Sequence, residues 1–263
     1  MFSRSELRAM IISIIIVTLA FAFDDKSLVF QWSYWLSHLF SVFIMVAIAL
    51  FAQQFGHKLV AKWNGFSTEY SLWGIQSFVP TIAGLVGKKK TKTFPRTFQL
   101  FGKEYLIRAF PIGIVLALLV MLISNGKLFF VAVGEYALLI KKPARFGRKF
   151  LEVSNYEEAK IALAGPVANL ILMLIAAFFN SYGTFDTFIL INGLLAFFYM
   201  LPLPRLPGIK IYFGSPLLYV STLVFTVSMI LLVYNVGAIP LLIISLLSLF
   251  VSGSLYYYYS YFR

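Results

Sequence analysis

FAQQFGHKLVAKWNG, Phe51 to Gly65, closes an apolar run that begins near Leu36. Its end carries two adjacent glutamines, Gln53 and Gln54, and His57, one of only two histidines in the chain. Polar side chains within a membrane span are costly and mark a site or a packing contact. Gln53 and His57 are four apart, so a helix places them on one face.

The surrounding composition fits a membrane span. Of 263 residues, 60% are hydrophobic and 12% charged, the balance of a membrane protein rather than a soluble domain. Apolar stretches near the roughly 20 residues a bilayer needs fall at 7–23, 36–63, 109–124, 157–180, 186–204, 215–235 and 238–259. They predict an all-α polytopic protein of about six to seven transmembrane helices with a re-entrant or short β segment. It is read as one integral membrane domain, 1–263. Within it lie a core (36–212), a basic loop (87–108) and a C-terminal helical hairpin (215–259). Asp24, Asp25 and Lys26 follow the first apolar run where a cleavage site would need small residues, so that run is expected to be retained. With no cysteine in the chain, disulfides and thiolate metal sites are excluded.

Three segments break the helical pattern. Tyr70 to Val86 is apolar but contains Pro80 and glycines, which suggests a re-entrant or interfacial path. Lys127 to Ile140 is short and rich in Phe and Val, which suggests a β-hairpin or re-entrant segment. Leu201 to Gly208 holds prolines at 202, 204 and 207 and cannot be a regular helix. Such backbone has to be buried in protein or lie at the interface.

The net charge of +12 reports orientation rather than nucleic-acid binding. With both termini cytoplasmic, and 109–140 entering and returning as a unit, all lysines and arginines except Lys26 and Lys127 face the cytoplasm, as positive-inside bias requires. The basic loop at 88–108 could also meet anionic lipid headgroups. Phe94, Phe98, Phe101 and Tyr105 recur at spacings of four, three and four, which suits an amphipathic helix on the membrane surface.

Four segments, in order over about Phe51 to Tyr219, together resemble the site-2 protease family of intramembrane zinc metalloproteases. QQFGHKLVAKWNG is similar to the family's His-Glu-x-x-His helix, and TEYSLWG (68–74) to the segment after it. KIALAGPVANLILMLI (160–175) is similar to the alanine-glycine-proline helix beside the active site. NGLLAFFYMLPLPRLPGIKIY (192–212) is similar to the stretch that ends in Leu-Asp-Gly. The resemblance implies that fold and a site at Gln53, Gln54, His57 and Pro207. It also implies a substrate path near Asn169, Asn192, Tyr199, Pro202 and Pro204.

The departures fall on the chemistry. Gln53 replaces the first zinc histidine, Gln54 the general-base glutamate, Pro207 the third ligand, and Tyr199 an asparagine. A catalytic zinc site keeps three protein ligands and an open position; here only His57 remains. A neutral amide cannot take a proton from water. His38, nineteen residues before His57, lies roughly 28 Å away along one helix. Glu69 and Glu135 are the carboxylates that could approach. No catalytic residue, no zinc and no other cofactor is therefore expected. The expected function is that of an inactive relative holding transmembrane protein clients, among membrane lipids and without nucleic acid. An active metalloprotease with replaced ligands, or a structural or transport membrane protein, remains as the alternative. A transporter should show paired broken helices in corresponding halves, and the chain has one clear break and no repeat. The simplest role for Gln53, Gln54 and His57 is hydrogen bonding between helices, worth around 0.6 kcal/mol per contact in membranes.

The absence of native cysteine makes topology directly measurable. A single cysteine at Gly183 should react with an impermeant thiol reagent in intact cells, and one at Thr91 should not. The opposite pattern would invert the topology.

Overall fold

The computed structural model describes residues 2–24, 30–75, 77–78, 92–93, 96–100, 103–107, 109–139, 153–180 and 182–261. Side chains of 77–107 and of 259–261 are not described. The helices are α1 (Arg4–Ala22), α2 (Trp32–Trp63), α3 (Ile112–Ile123), α4 (Asn155–Phe178), α5 (Asp186–Met200), α6 (Pro207–Gly214), α7 (Pro216–Leu232) and α8 (Ala238–Tyr261). Six short strands pair two by two: β1 (Ser67–Leu72) with β6 (Gly134–Leu139), β2 (Ser77–Phe78) with β3 (Lys92–Thr93), and β4 (Arg96–Leu100) with β5 (Lys103–Ile107). The protein is α-rich, and α1, α2, α4 and most of α8 are long and apolar enough to cross a membrane. The other apolar stretches form the shorter α3, α5 and α7.

About half of α1 and 44% of α4 are buried along their apolar windows, against 22% for α2 and 11% for α8. The first pair therefore forms the centre. Helix α1 starts on a capping box: the Ser3 hydroxyl accepts from Glu6 N–H while Glu6 accepts from Ser3 N–H at 2.7 Å, satisfying two otherwise orphan donors. Helix α2 runs for 32 residues, about 48 Å, and crosses α4 at close range. Gly56 makes that crossing possible, because a β carbon there would lie 2.6 Å from the Ala164 carbonyl oxygen. Small residues at such a contact let backbones approach and gain dispersion where lipid offers no hydrophobic drive. Pro166 sits inside α4, where it removes the bond to the Ala162 carbonyl.

The segment 109–139 runs out through α3 and back, so that its two ends lie side by side. Phe110 bridges to Ile75, Gly113 N–H donates to the Trp73 carbonyl, and Trp73 N–H donates to the Val133 carbonyl at 2.8 Å. Entry and return thus touch. At the far turn Gly126 (φ +76°) lies against Phe23 and Asp24, the end of α1. The chain comes back extended through Val131, Ala132 and Val133, all essentially buried. Phe129 stacks on Phe21 at 4.5 Å. Protein surrounds this irregular backbone, the condition under which such backbone is tolerated among apolar helices. The return does not form a local hairpin. It continues into β6, which pairs antiparallel with β1, Ser67 opposite Leu139 through Leu72 opposite Gly134.

The basic stretch at 87–108 requires two corrections. It contains strands as well as loop, and the aromatic residues at 98 and 105 belong to a hairpin, not to an amphipathic helix. Phe98 pairs directly with Tyr105 across β4 and β5. Seven residues suit a helical face, but the same two positions also meet across a two-residue link containing Gly102, the spacing of a tight hairpin. Phe94, Phe101 and all of 79–91 lie outside the described residues, as does about half of the Tyr70–Val86 reading.

Leu201–Leu206 breaks the helical path, with Arg205 in the left-handed region (φ +71°). Pro207 opens α6 at its first turn, where its missing N–H costs nothing. Gly208 packs directly on the Met200 and Leu201 carbonyls. Helices α7 and α8 then lie along each other, and a β carbon at Gly253 would lie 3.1 Å from Ser221 Oγ.

Gly56→Ala should force α2 from α4 and destabilise the folded protein by about 1–3 kcal/mol, read as a lowered unfolding midpoint in denaturant-titrated detergent. An unchanged midpoint would show that this crossing is not close-packed.

Candidate functional site

The helical face carried by α2 is buried as a unit: Gln53 and His57 expose nothing and Gln54 2%. His57 Nδ1 lies 2.7 Å from the Ile161 carbonyl oxygen on α4. A carbonyl only accepts, so Nδ1 carries the proton and donates, which leaves Nε2 as a bare acceptor. That nitrogen faces Gly165, where a β carbon would collide with it. The ring itself stacks on Tyr136 of β6, centroids 4.4 Å apart. Nδ1 and one face of His57 are therefore engaged by α4 and β6, while Nε2, packed against Gly165, has no hydrogen-bond partner among the described residues.

On Tyr136 sits the Lys210 ammonium, 3.9 Å from the ring centroid. Lys210 Nζ also donates to the Tyr136 carbonyl at 3.1 Å and pairs with Glu158 at 3.3 Å. Imidazole, phenol ring and ammonium thus join α2, β6 and α6. Burial lowers the Lys210 pKa, opposed by Glu158, and raises the Tyr136 phenol well above its usual value.

The other sequence-derived positions divide. Asn169 and Asn192 are fully buried and Tyr199 exposes 1%, whereas Pro202 and Pro204 are exposed. Tyr199 Oη accepts from Gly134 N–H at 3.2 Å, and Asn192 donates to the Phe188 carbonyl at 2.8 Å. Pro207 is buried at the start of α6. From the contact of His57 with Gly165, one turn back along α2 is Gln53 and one turn on along α4 is Asn169. Among the described residues, both amide atoms of each side chain lack a hydrogen-bond partner. Buried amides in that state cost about 1–3 kcal/mol per group.

Neither candidate carboxylate turns to His57. Glu69 accepts from Ser5 Oγ at 2.9 Å. Glu135 pairs with Arg205 at 2.9 Å and accepts from Ser71 Oγ. Burial pushes the Glu135 carboxyl up to about 7, with Arg205 and Lys210 pulling it partly back. Tyr136, Arg205, Lys210 and Trp73 were not legible as site residues. Their contacts depend on β6 meeting β1 and the α5–α6 link, and neither meeting has a local signal.

Comparison with family models, with curated proteins and with solved structures found no match to this chain.

A double-mutant cycle can test the His57–Gly165 contact. Gly165→Ala alone should cost about 1–3 kcal/mol by overpacking. In a His57→Ala background the same change should cost measurably less, because the imbedded ring that it strikes is gone. Strict additivity would separate the two residues.

Proposed function

We propose that this chain is a site-2 protease-like membrane protein without peptidase chemistry, which holds segments of membrane-protein clients. One observation carries the first part: the Nε2 lone pair of His57, the one retained ligand position, is buried directly against Gly165. A zinc ligand needs a nitrogen lone pair open to the metal at about 2.0–2.1 Å. The remaining donors do not fit either. Gln53 and Gln54 are neutral amides, Pro207 has no ligating atom, and Glu135 is engaged by Arg205. The imidazole acts instead as a key between α2, α4 and β6.

The client part rests on the unpartnered amides of Gln53 and Asn169. A transmembrane segment that unwinds beside them would supply carbonyls and N–H groups and recover that cost. Under this reading both termini are cytoplasmic, which places the β1–β6 sheet and α6 toward the cytoplasmic side.

Purified protein should hold no stoichiometric zinc and leave transmembrane peptides uncut. About one zinc per chain, lost on His57→Ala, would overturn the reading. The triple variant Gln53→His, Gln54→Glu, Pro207→Asp should bind zinc weakly and cut little. Gly208 is wedged against two carbonyls, so the backbone at 207 has no play to aim a carboxylate, and misplacement by about 1 Å can cost a hundredfold in rate. Robust cleavage by that variant would show a scaffold still poised for catalysis. A photoreactive residue at Phe55, exposed on α2 two residues before His57, should capture a membrane protein; adducts confined to the chain itself would remove the client part.

A further inference from the structure

The turn between α4 and α5 and the turn between α7 and α8 border an open pocket of about 610 Å³, walled by Phe178, Asn180, Gly183, Asp186, Tyr234 and the first turn of α8. That volume is within the roughly 300–1,000 Å³ of small-ligand sites. Asp186 is the one charged residue in 161–204, and 211–262 holds none. Its carboxylate is held in place from several sides. Asn180 Nδ2 donates to Oδ1 at 2.6 Å, Asn180 Oδ1 accepts from Phe185 N–H, and Tyr234 Oη donates to the Asp186 carbonyl at 3.2 Å. Oδ2 lies over the bare flank of Gly183 (φ +73°), where a β carbon would be 3.3 Å away. That oxygen has no hydrogen-bond or ion-pair partner among the described residues. A fixed carboxylate with one free oxygen thus borders a pocket whose surrounding helices supply no cation.

We propose that this pocket binds an ammonium group, with the Asp186 carboxylate as its counter-ion and the rings of Phe178 and Tyr234 as its aromatic wall. The lining chooses among cations. A metal ion such as Ca²⁺ needs six or more oxygen ligands, about, and no group of three or more His, Cys, Asp or Glu residues stands together among the described residues. An alkylammonium needs one counter-charge and apolar or aromatic surface for its carbon atoms, and aromatic rings attract it through their quadrupole. The first turn of α8 forms the far wall, and its partial positive charge fades within that turn, so it does not cancel a full carboxylate. The surroundings place the pocket at headgroup level. Phe179 is 66% exposed, Tyr182 95% and Tyr234 53%, the kind of aromatic girdle found where a membrane meets water. The ammonium can come from a zwitterionic phospholipid headgroup or from a free amine; the chemistry read by Asp186 is the same.

Phe178 lies roughly 25 Å along α4 from the Ile161 carbonyl that His57 meets, so this site and the function proposed above stand or fall separately. Native mass spectrometry of the full chain in detergent tests it, by titration with phosphatidylethanolamine and with phosphatidylglycerol of the same acyl chains. Asp186→Asn keeps the acceptor for Asn180 and removes the charge. It should weaken binding of the first phosphatidylethanolamine by about threefold to tenfold and leave phosphatidylglycerol, which has no amine, no weaker. Comparing variant with wild type for each lipid cancels the attraction of the chain's positive charge for anionic headgroups. Tyr234→Leu should weaken the same lipid by a smaller factor, and serves alone if Asp186→Asn does not fold. An excess of free ethanolamine separates the sources: displacement of the lipid shows that the soluble amine fills the site, and retention shows that the lipid headgroup is required. Equal effects of Asp186→Asn on the two lipids, or none on either, overturn the proposal.

Discussion

The contact between His57 and α4 is the constraint around which the described structure is arranged. The imidazole spans from the Ile161 carbonyl to the bare flank of Gly165, and Gly56 one residue earlier lets the Ala164 carbonyl come close. A larger residue at either glycine would move α2 off α4. Two central elements, Tyr136 on β6 and Lys210 on α6, are then positioned from that ring. The polar face of α2 serves here as a packing joint through His57, while both amide atoms of Gln53 stay without a hydrogen-bond partner among the described residues.

The same joint explains why so much irregular backbone can sit among apolar helices. The extended return at 129–133 is covered by α1 and α3, with Val131, Ala132 and Val133 essentially inaccessible. The β1–β6 sheet is fastened to α1 through Glu6, which accepts from Tyr70 N–H at 3.0 Å and pairs with Lys58 at 2.6 Å. Lys58 donates onward to the Thr68 carbonyl, and Tyr70 Oη donates to Ser13. Strand β1 thus has side-chain support from α1 and α2. Such polar ties are needed, because an isolated two-stranded ladder is marginal on its own.

What was legible in the sequence follows from how local its causes are. Apolar length placed the helices to within a few residues, and the prolines at 202, 204 and 207 marked the break between α5 and α6. Lys127 to Ile140 read as a short β or re-entrant segment and holds β6, but its partner strand, β1, lies more than sixty residues earlier, a pairing that no window of sequence displays. Phe98 and Tyr105 misled for a definite reason: a separation of seven satisfies two turns of helix and also a tight hairpin. At the candidate site, Gln53, Gln54 and His57 were visible as polar intruders. The stack on Tyr136, the Lys210 ammonium above it and the Glu135–Arg205 pair were not, since each joins elements brought together by the fold alone.

The central claim, that His57 is a packing key and not a metal ligand, has a direct spectroscopic test. The chain has two histidines, so a His38→Gln variant labelled with ¹⁵N-histidine reports His57 alone. The account predicts a neutral ring protonated at Nδ1, with an unprotonated Nε2 whose resonance does not move when zinc is added. A ring protonated at Nε2, or an Nε2 signal that shifts to a metal-bound position with zinc, would contradict it.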